Sequence, residues 1–324
     1  MMHETNYAYA VARVRANELT LLSAADMEQL IAAEDYKQVL RRLSDNGWGD
    51  VEGLTDYSQY LEQYRQKTWN LLVEIMDDVH ELDMLIIKND MQNLKAALKC
   101  IFSHNDPENL YISPTVFETE AIVKAVEERM FESLPECMID VAKEAYDILA
   151  HTGNGQLADV ILDMRTLELI KSYGEKSRNE MLAKLAEYIC VTTNIKTAYR
   201  CANTGKSKDF IESSICECDT LDKRSLVAAT LEGESALLDY LSKTQYSNAV
   251  EKLKISTSAF EKWSDDLIMQ LILPAKHKAF GLDPMAAYYL AKDAEIKTVR
   301  IILSAKLNHL PADIIRERVR ALYV

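Results

Sequence analysis

The chain has 324 residues, 48% of them hydrophobic and 27% charged, a length that suits two or three domains of ordinary size. Its nine Gly and six Pro are less than half the usual shares of about 7% and 5%, too few for the tight turns of a sandwich, propeller or barrel. A net charge of −14, with no basic segment to meet phosphates, argues against a nucleic-acid binder and leaves an all-α chain.

The opening residues Met1 to Asn6 carry neither the basic nor the apolar segment of a secretion signal. Ser23-Ala-Ala-Asp26 ahead of Met27, Leu30 and Ile31 predicts an N-cap and the first turn of a helix. Gly47 to Gly53 reads as a loop. Leu54-Thr55-Asp56 then opens a long amphipathic helix with Tyr57, Leu61, Tyr64, Trp69, Leu72 and Ile75 near helical spacing. Further breaks are predicted at Asp106-Pro107, Ser113-Pro114, His151 to Gly155 and Gly281 to Pro284. The longest apolar run, Leu267 to Ala275, is far shorter than a membrane span of about 20 residues. Six Cys without a secretion signal read as free thiols of a cytosolic protein, and Cys216-Glu217-Cys218, with no second pair, predicts no metal site.

Two segments carry echoes of enzyme chemistry. Asp77-Asp78-Val79-His80-Glu81 has the D-D-x-x-E pattern with which class I terpenoid synthases hold Mg²⁺ against a diphosphate. The second metal motif such a site needs is incomplete: Asn89-Asp90-Met-Gln-Asn93 lacks the hydroxyl and ends at Ala97 in place of a carboxylate. The other reading is a solvated acidic face with Glu74. Cys201 to Ser207 ends in Gly-Lys-Ser like a phosphate loop, but Arg200 stands where the first Gly is required and a helix precedes it. Gly205 is expected instead to cap that helix in the left-handed conformation. The scattered His residues form no H-E-x-x-H pair, so no metalloenzyme is expected.

An internal repeat organises the rest. Asn93-Leu94-Lys95, Asn194-Ile195-Lys196 and Glu295-Ile296-Lys297 recur at intervals of 101 residues. From each apolar residue a helical stripe follows: Leu94, Ala97, Leu98 and Ile101; Ile195, Ala198, Tyr199 and Ala202; Ile296, Val299, Arg300 and Leu303. Ile87, Tyr188 and Tyr289 extend it upstream. Residues 1–106, 107–207 and 208–324 are therefore expected to form three similar helical domains, which can close into a pseudo-threefold body around an axis, as a ring, a socket or a shaft. Asn93, Lys95, Asn194, Lys196, Glu295 and Lys297 are the candidate partner-interface residues, facing the axis or the neighbouring units. Pairing within their own helices is the competing expectation. Residues 1–108 hold nine of the fourteen net negative charges, and nothing in the repeat explains that.

The segment from Pro284 to Arg320, ending Tyr323-Val324, resembles the C-terminus of the C subunit of V/A-type ATPases, a family that includes the eukaryotic d subunit. Asp90-Met91-x-Asn93-Leu94-Lys95-x-x-Leu98-Lys99 is similar to its first-unit motif, and Ser304-Ala305-Lys306 departs from the family in lacking the Gly expected before the Lys. The resemblance implies an all-α, pseudo-threefold funnel of three similar domains with no catalytic residues and no cofactor, a non-catalytic rotor subunit and non-enzyme at the cytoplasmic face of a membrane. Its partners would be the proteolipid ring and central-stalk subunits of the D and F type, with torque passing between them for H⁺ or Na⁺ transport. A terpenoid-synthase-like enzyme and a generic helical scaffold remain the alternative readings.

Overall fold

The computed structural model describes residues 7–50, 56–103 and 110–324. The predicted features at Met1 to Asn6, Leu54-Thr55, Asp106-Pro107 and the 106/107 boundary lie outside these residues, as does the later part of the Gly47 to Gly53 loop. Among the described residues every regular element is helical, as the composition implied. The chain divides into two compact units, one built from residues 1–79 and 256–324, the other from 80–255.

The first unit begins with α1 (Ala8–Glu18), α2 (Ala24–Ala32), α3 (Tyr36–Asp45) and α4 (Tyr57–Ile75). Their starts follow local chemistry. Ser23 and Asp26 form a reciprocal capping box on α2, while Asp35 and Asp56 cap α3 and α4 through side-chain oxygens that accept main-chain N–H groups. Asp77 and Asp78 lie past the end of α4, and Glu81 sits in a 3₁₀ turn, Val79–Leu85, so the D-D-x-x-E residues do not share one α-helical face.

The second unit holds α5 (Ile87–Ser103), α6 (Thr119–Glu127), α7 (Glu136–Thr152), α8 (Gly155–Lys176) and α9 (Glu180–Thr204). It continues with α10 (Lys208–Ser214), α11 (Lys223–Leu231), α12 (Glu234–Ser242) and α13 (Asn248–Ile255). Here α5 packs on α6, α7 and α8, and α9 packs on α8, α11 and α12. Gly205 caps α9 with φ 61° and ψ 45°, and Ser207 caps α10, so the phosphate-loop look-alike is a helix end followed by a helix start.

Gly174 of α8 lies in close contact with α9. A Cβ there would stand 2.7 Å from that of Ala186 and 3.3 Å from the Leu182 carbonyl oxygen. Gly174→Ala is therefore expected to destabilise by about 1–3 kcal/mol, overpacking outweighing the helix-propensity gain of about 1 kcal/mol. A urea midpoint at or above the wild-type value would contradict this.

The chain returns to the first unit with α14 (Thr257–Ile272), α15 (Asp283–Leu307) and α16 (Ala312–Arg318). Helix α15 is buried along most of its length and packs on α1, α3, α4, α14 and α16. Ile296, Val299, Ile302 and Leu303 thus share one core with Leu30, Ile31, Leu43, Tyr60 and Leu61 from the other end of the sequence. Burying side chains such as these stabilises by about 1.5–3 kcal/mol each.

Candidate functional site

The three long helices α5, α9 and α15 carry the recurrent residues, and the structure separates them into two kinds. Asn93, Asn194 and Glu295 are buried, at 0%, 1% and 3% exposure. Each holds a non-helical segment that leads into a nine-residue helix. Asn93 donates from Nδ2 to the Ile112 carbonyl (2.9 Å) and accepts at Oδ1 from the Ile112 amide (2.8 Å), ahead of α6. Asn194 does the same to Cys216, donating at 2.8 Å and accepting at 3.1 Å, ahead of α11. Glu295 accepts at Oε1 from the Leu22 amide, ahead of α2. A primary amide suits this task, since it offers a donor and an acceptor on one planar group and satisfies both backbone atoms of one residue.

The lysines of the repeat lie differently. Lys95 pairs with Asp163 and lies 3.9 Å from Asp159, both on α8. Lys297 is 3.3 Å from Asp265 of α14 and 3.4 Å from Asp293, with its side chain 45% exposed. Lys196 is half-buried on α9. These are mostly partly wetted ion pairs, each worth at most about 1 kcal/mol, so they leave charge near the surface at little cost in stability.

Further residues of the anchors lie outside the three repeated positions. Three residues before Asn93, Asp90 accepts from the amides of Val116 and Phe117, at 2.9 Å each, and Asn89 donates to the Pro114 carbonyl (2.8 Å). Three residues before Glu295, Lys292 donates to Tyr64 Oη (2.5 Å), Thr20 Oγ1 (3.4 Å) and Glu295 Oε2 (3.3 Å). Its ammonium also lies 5.0 Å from the Tyr64 ring centre, and Tyr64 stacks on Trp48 with centroids 3.8 Å apart. The legible signal is a charged residue recurring at 90 and 292, two repeat intervals apart, inside apolar stripes. In α9 that position is Val191, and Glu187 takes over a similar task by accepting from the Thr220 amide (2.7 Å) and hydroxyl (2.6 Å).

Burial sets the electrostatics. It pushes the Asp90 carboxyl up to about 6, against the lowering effect of the Val116 and Phe117 amides. A carboxyl whose folded pKa exceeds its unfolded value contributes stability that is full below about pH 4 and is lost as the pH rises through about 6. Asp90→Asn is expected to remove a dependence on the order of 1–3 kcal/mol between those limits. Urea midpoints measured from pH 4 to 7 would show it; an unchanged slope in the variant would refute the assignment to Asp90. Desolvation also lowers Lys292 and raises Glu295, each shift opposed by the other residue.

Among the described residues no group of three or more His, Cys, Asp or Glu is arranged to hold a metal ion. Among them no helix is long and apolar enough to cross a membrane.

Comparison with known proteins places these helices in a family. The family model described as ATP synthase (C/AC39) subunit matches residues 10–318. The C subunit of the V-type sodium ATPase of Enterococcus hirae is 24% identical over 318 residues, covering 96% of this chain and 97% of the relative. The C subunit of the A-type ATP synthase of Methanocaldococcus jannaschii is 23% identical, covering 96% and 85%. The C subunit of the V-type ATP synthase of Thermus thermophilus is 21% identical, covering 97% and 98%.

Proposed function

Because the chain belongs to the ATP synthase (C/AC39) subunit family, we propose that it is a non-catalytic central-rotor subunit of a V/A-type ATPase. In this reading it is a socket at the cytoplasmic face of the membrane. It joins central-stalk subunits of the D and F type to the proteolipid ring and passes torque between them for H⁺ or Na⁺ transport. The family match over residues 10–318 carries the proposal.

The physical build suits that task. A coupling element must resist shear between its helices, and side chains bonded to both backbone atoms of a crossing segment resist sliding better than apolar contact alone, because hydrogen bonds are directional. Three related units about a pseudo-threefold axis belong to the same proposal, as does a division of labour within the repeat. Asn93, Asn194 and Glu295 hold the segments in place, while Lys95, Lys196 and Lys297 contribute charge to the partner surfaces, where electrostatics governs association rate and register.

Co-purification from the native membrane tests the proposal. The chain should carry stalk and proteolipid subunits with it, and its deletion should leave soluble ATP hydrolysis uncoupled from ion pumping. A complex that assembles and pumps without the chain would overturn it. Reversing all three lysines to Glu should weaken stalk or ring capture with helicity unchanged; undiminished capture would remove them from the interface.

A further inference from the structure

The second unit brings Cys190 beside the Cys216-x-Cys218 pair, from which it is separated in the sequence. Cys190 lies on α9, and Cys216 and Cys218 on the segment between α10 and α11. Cys190 and Cys216 are buried beside Leu167, while Cys218 is half-buried next to the exposed Glu217 and Asp219. Asn194 ties the group together. Its Oδ1 holds the Cys216 amide, and its Nδ2 points at the Cys218 sulfur from 3.2 Å. The Cys190 thiol lies 3.6 Å from the Leu167 carbonyl oxygen.

We propose that Cys190 and Cys216 form an oxidisable dithiol site that a hydroperoxide converts to an intramolecular disulfide linking α9 to the 215–221 segment. The proposal rests on the cluster and does not depend on the rotor assignment.

Hydrogen bonds from Cys190 and then Cys218 lower the Cys216 thiol against burial, which makes it the most acidic of the three and the thiol that attacks once it gives up its proton, its sulfur lying 3.4 Å from Asn194 Oδ1. The contacts with Cys216, and then burial, raise the other two thiols, which favours their protonated forms. The Cys216 thiolate attacks one peroxide oxygen and the O–O bond breaks. Hydroxide leaves and takes the Cys190 proton, giving water and a Cys216 sulfenic acid. The Cys190 thiolate then attacks the Cys216 sulfur. An S–S bond forms and the second hydroxide leaves, to be protonated by solvent. Two thiols lose two electrons to one peroxide, and two waters result. Cys216 is itself buried but adjoins the exposed Glu217, the side from which a small oxidant would reach it, and the adjacent Cys190 would intercept the sulfenic acid before further oxidation.

The full chain is treated with hydrogen peroxide, denatured in alkylating agent, digested and analysed by mass spectrometry. A dithiothreitol-reversible link between the Cys190 and Cys216 peptides is expected, with Cys100, Cys137 and Cys201 still alkylated. Cys218→Ser should retain the link. Cys190→Ser should lose it and send Cys216 on to sulfinic acid. Oxidised wild-type protein should melt at a higher temperature than reduced protein, and Cys190→Ser should show no such difference. Free Cys190 and Cys216 after peroxide, or a link joining Cys216 to Cys218 alone, would overturn the proposal.

Discussion

Glu295→Ala is expected to destabilise the first unit by about 3–5 kcal/mol, more than any other single change proposed for this chain. Glu295 accepts from the Leu22 amide and lies 3.3 Å from the Lys292 ammonium, and both side chains are almost wholly buried. Removing the carboxylate leaves a buried cation whose remaining partners, Tyr64 Oη and Thr20 Oγ1, are neutral, and it orphans a main-chain donor as well. The cost arises from what is left behind, so it should shrink when Lys292 goes too. Lys292→Met with Glu295→Gln should recover much of the loss, because a neutral amide still accepts from Leu22 and no unpaired charge stays in the core. Chemical denaturation of the wild type, Lys292→Met, Glu295→Gln and the double variant closes the cycle. Strict additivity of the two changes would show that the pair is not coupled.

Asn194→Ala should cost about 2–4 kcal/mol, since it strips partners from both the amide and the carbonyl of the buried Cys216, at about 1–3 kcal/mol for each unsatisfied group. Asn93→Ala should act alike on Ile112. Asn194→Asp separates donor from acceptor. It keeps the bond from the Cys216 amide, loses the one to its carbonyl, and places a carboxylate beside the Cys216 and Cys218 sulfurs. It should therefore be at least as destabilising as alanine near neutral pH, and less so in acid where the carboxyl is protonated. Hydrogen exchange locates the effect: protection should fall first at residues 215–221, which Asn194 and Glu187 hold. Loss confined to another part of the unit would refute the anchor.

These residues also show how far the sequence could be read. The recurrence of Asn93, Asn194 and Glu295 at 101-residue intervals is visible in it, and so is the apolar stripe beside them. An interface is the natural inference for polar groups that recur next to such a stripe. What the structure adds is the main-chain groups they bond, 19, 22 and 273 residues away. No local pattern encodes such a partner. Cys190 and the Cys216-x-Cys218 pair escape a reading by spacing for the same reason, each being unremarkable until α9 and the following segment are brought side by side.

What the sequence determined by itself is whatever acts within about one helical turn. Ser23, Asp56 and Ser207 start their helices by bonding to amides two or three residues ahead, and Gly205 ends α9 because a left-handed residue there needs no Cβ. Scarcity of Gly and Pro then leaves long helices as the default. The tertiary structure alone decided that residues 1–79 close around α15 rather than around the helices that follow them in the chain. Helical periodicity tells which face of α15 is apolar, but any sufficiently apolar stripe can cover it. The choice among them is made by shape, by the Lys292–Glu295 pair and by the Leu22 amide, across more than 200 residues of intervening chain.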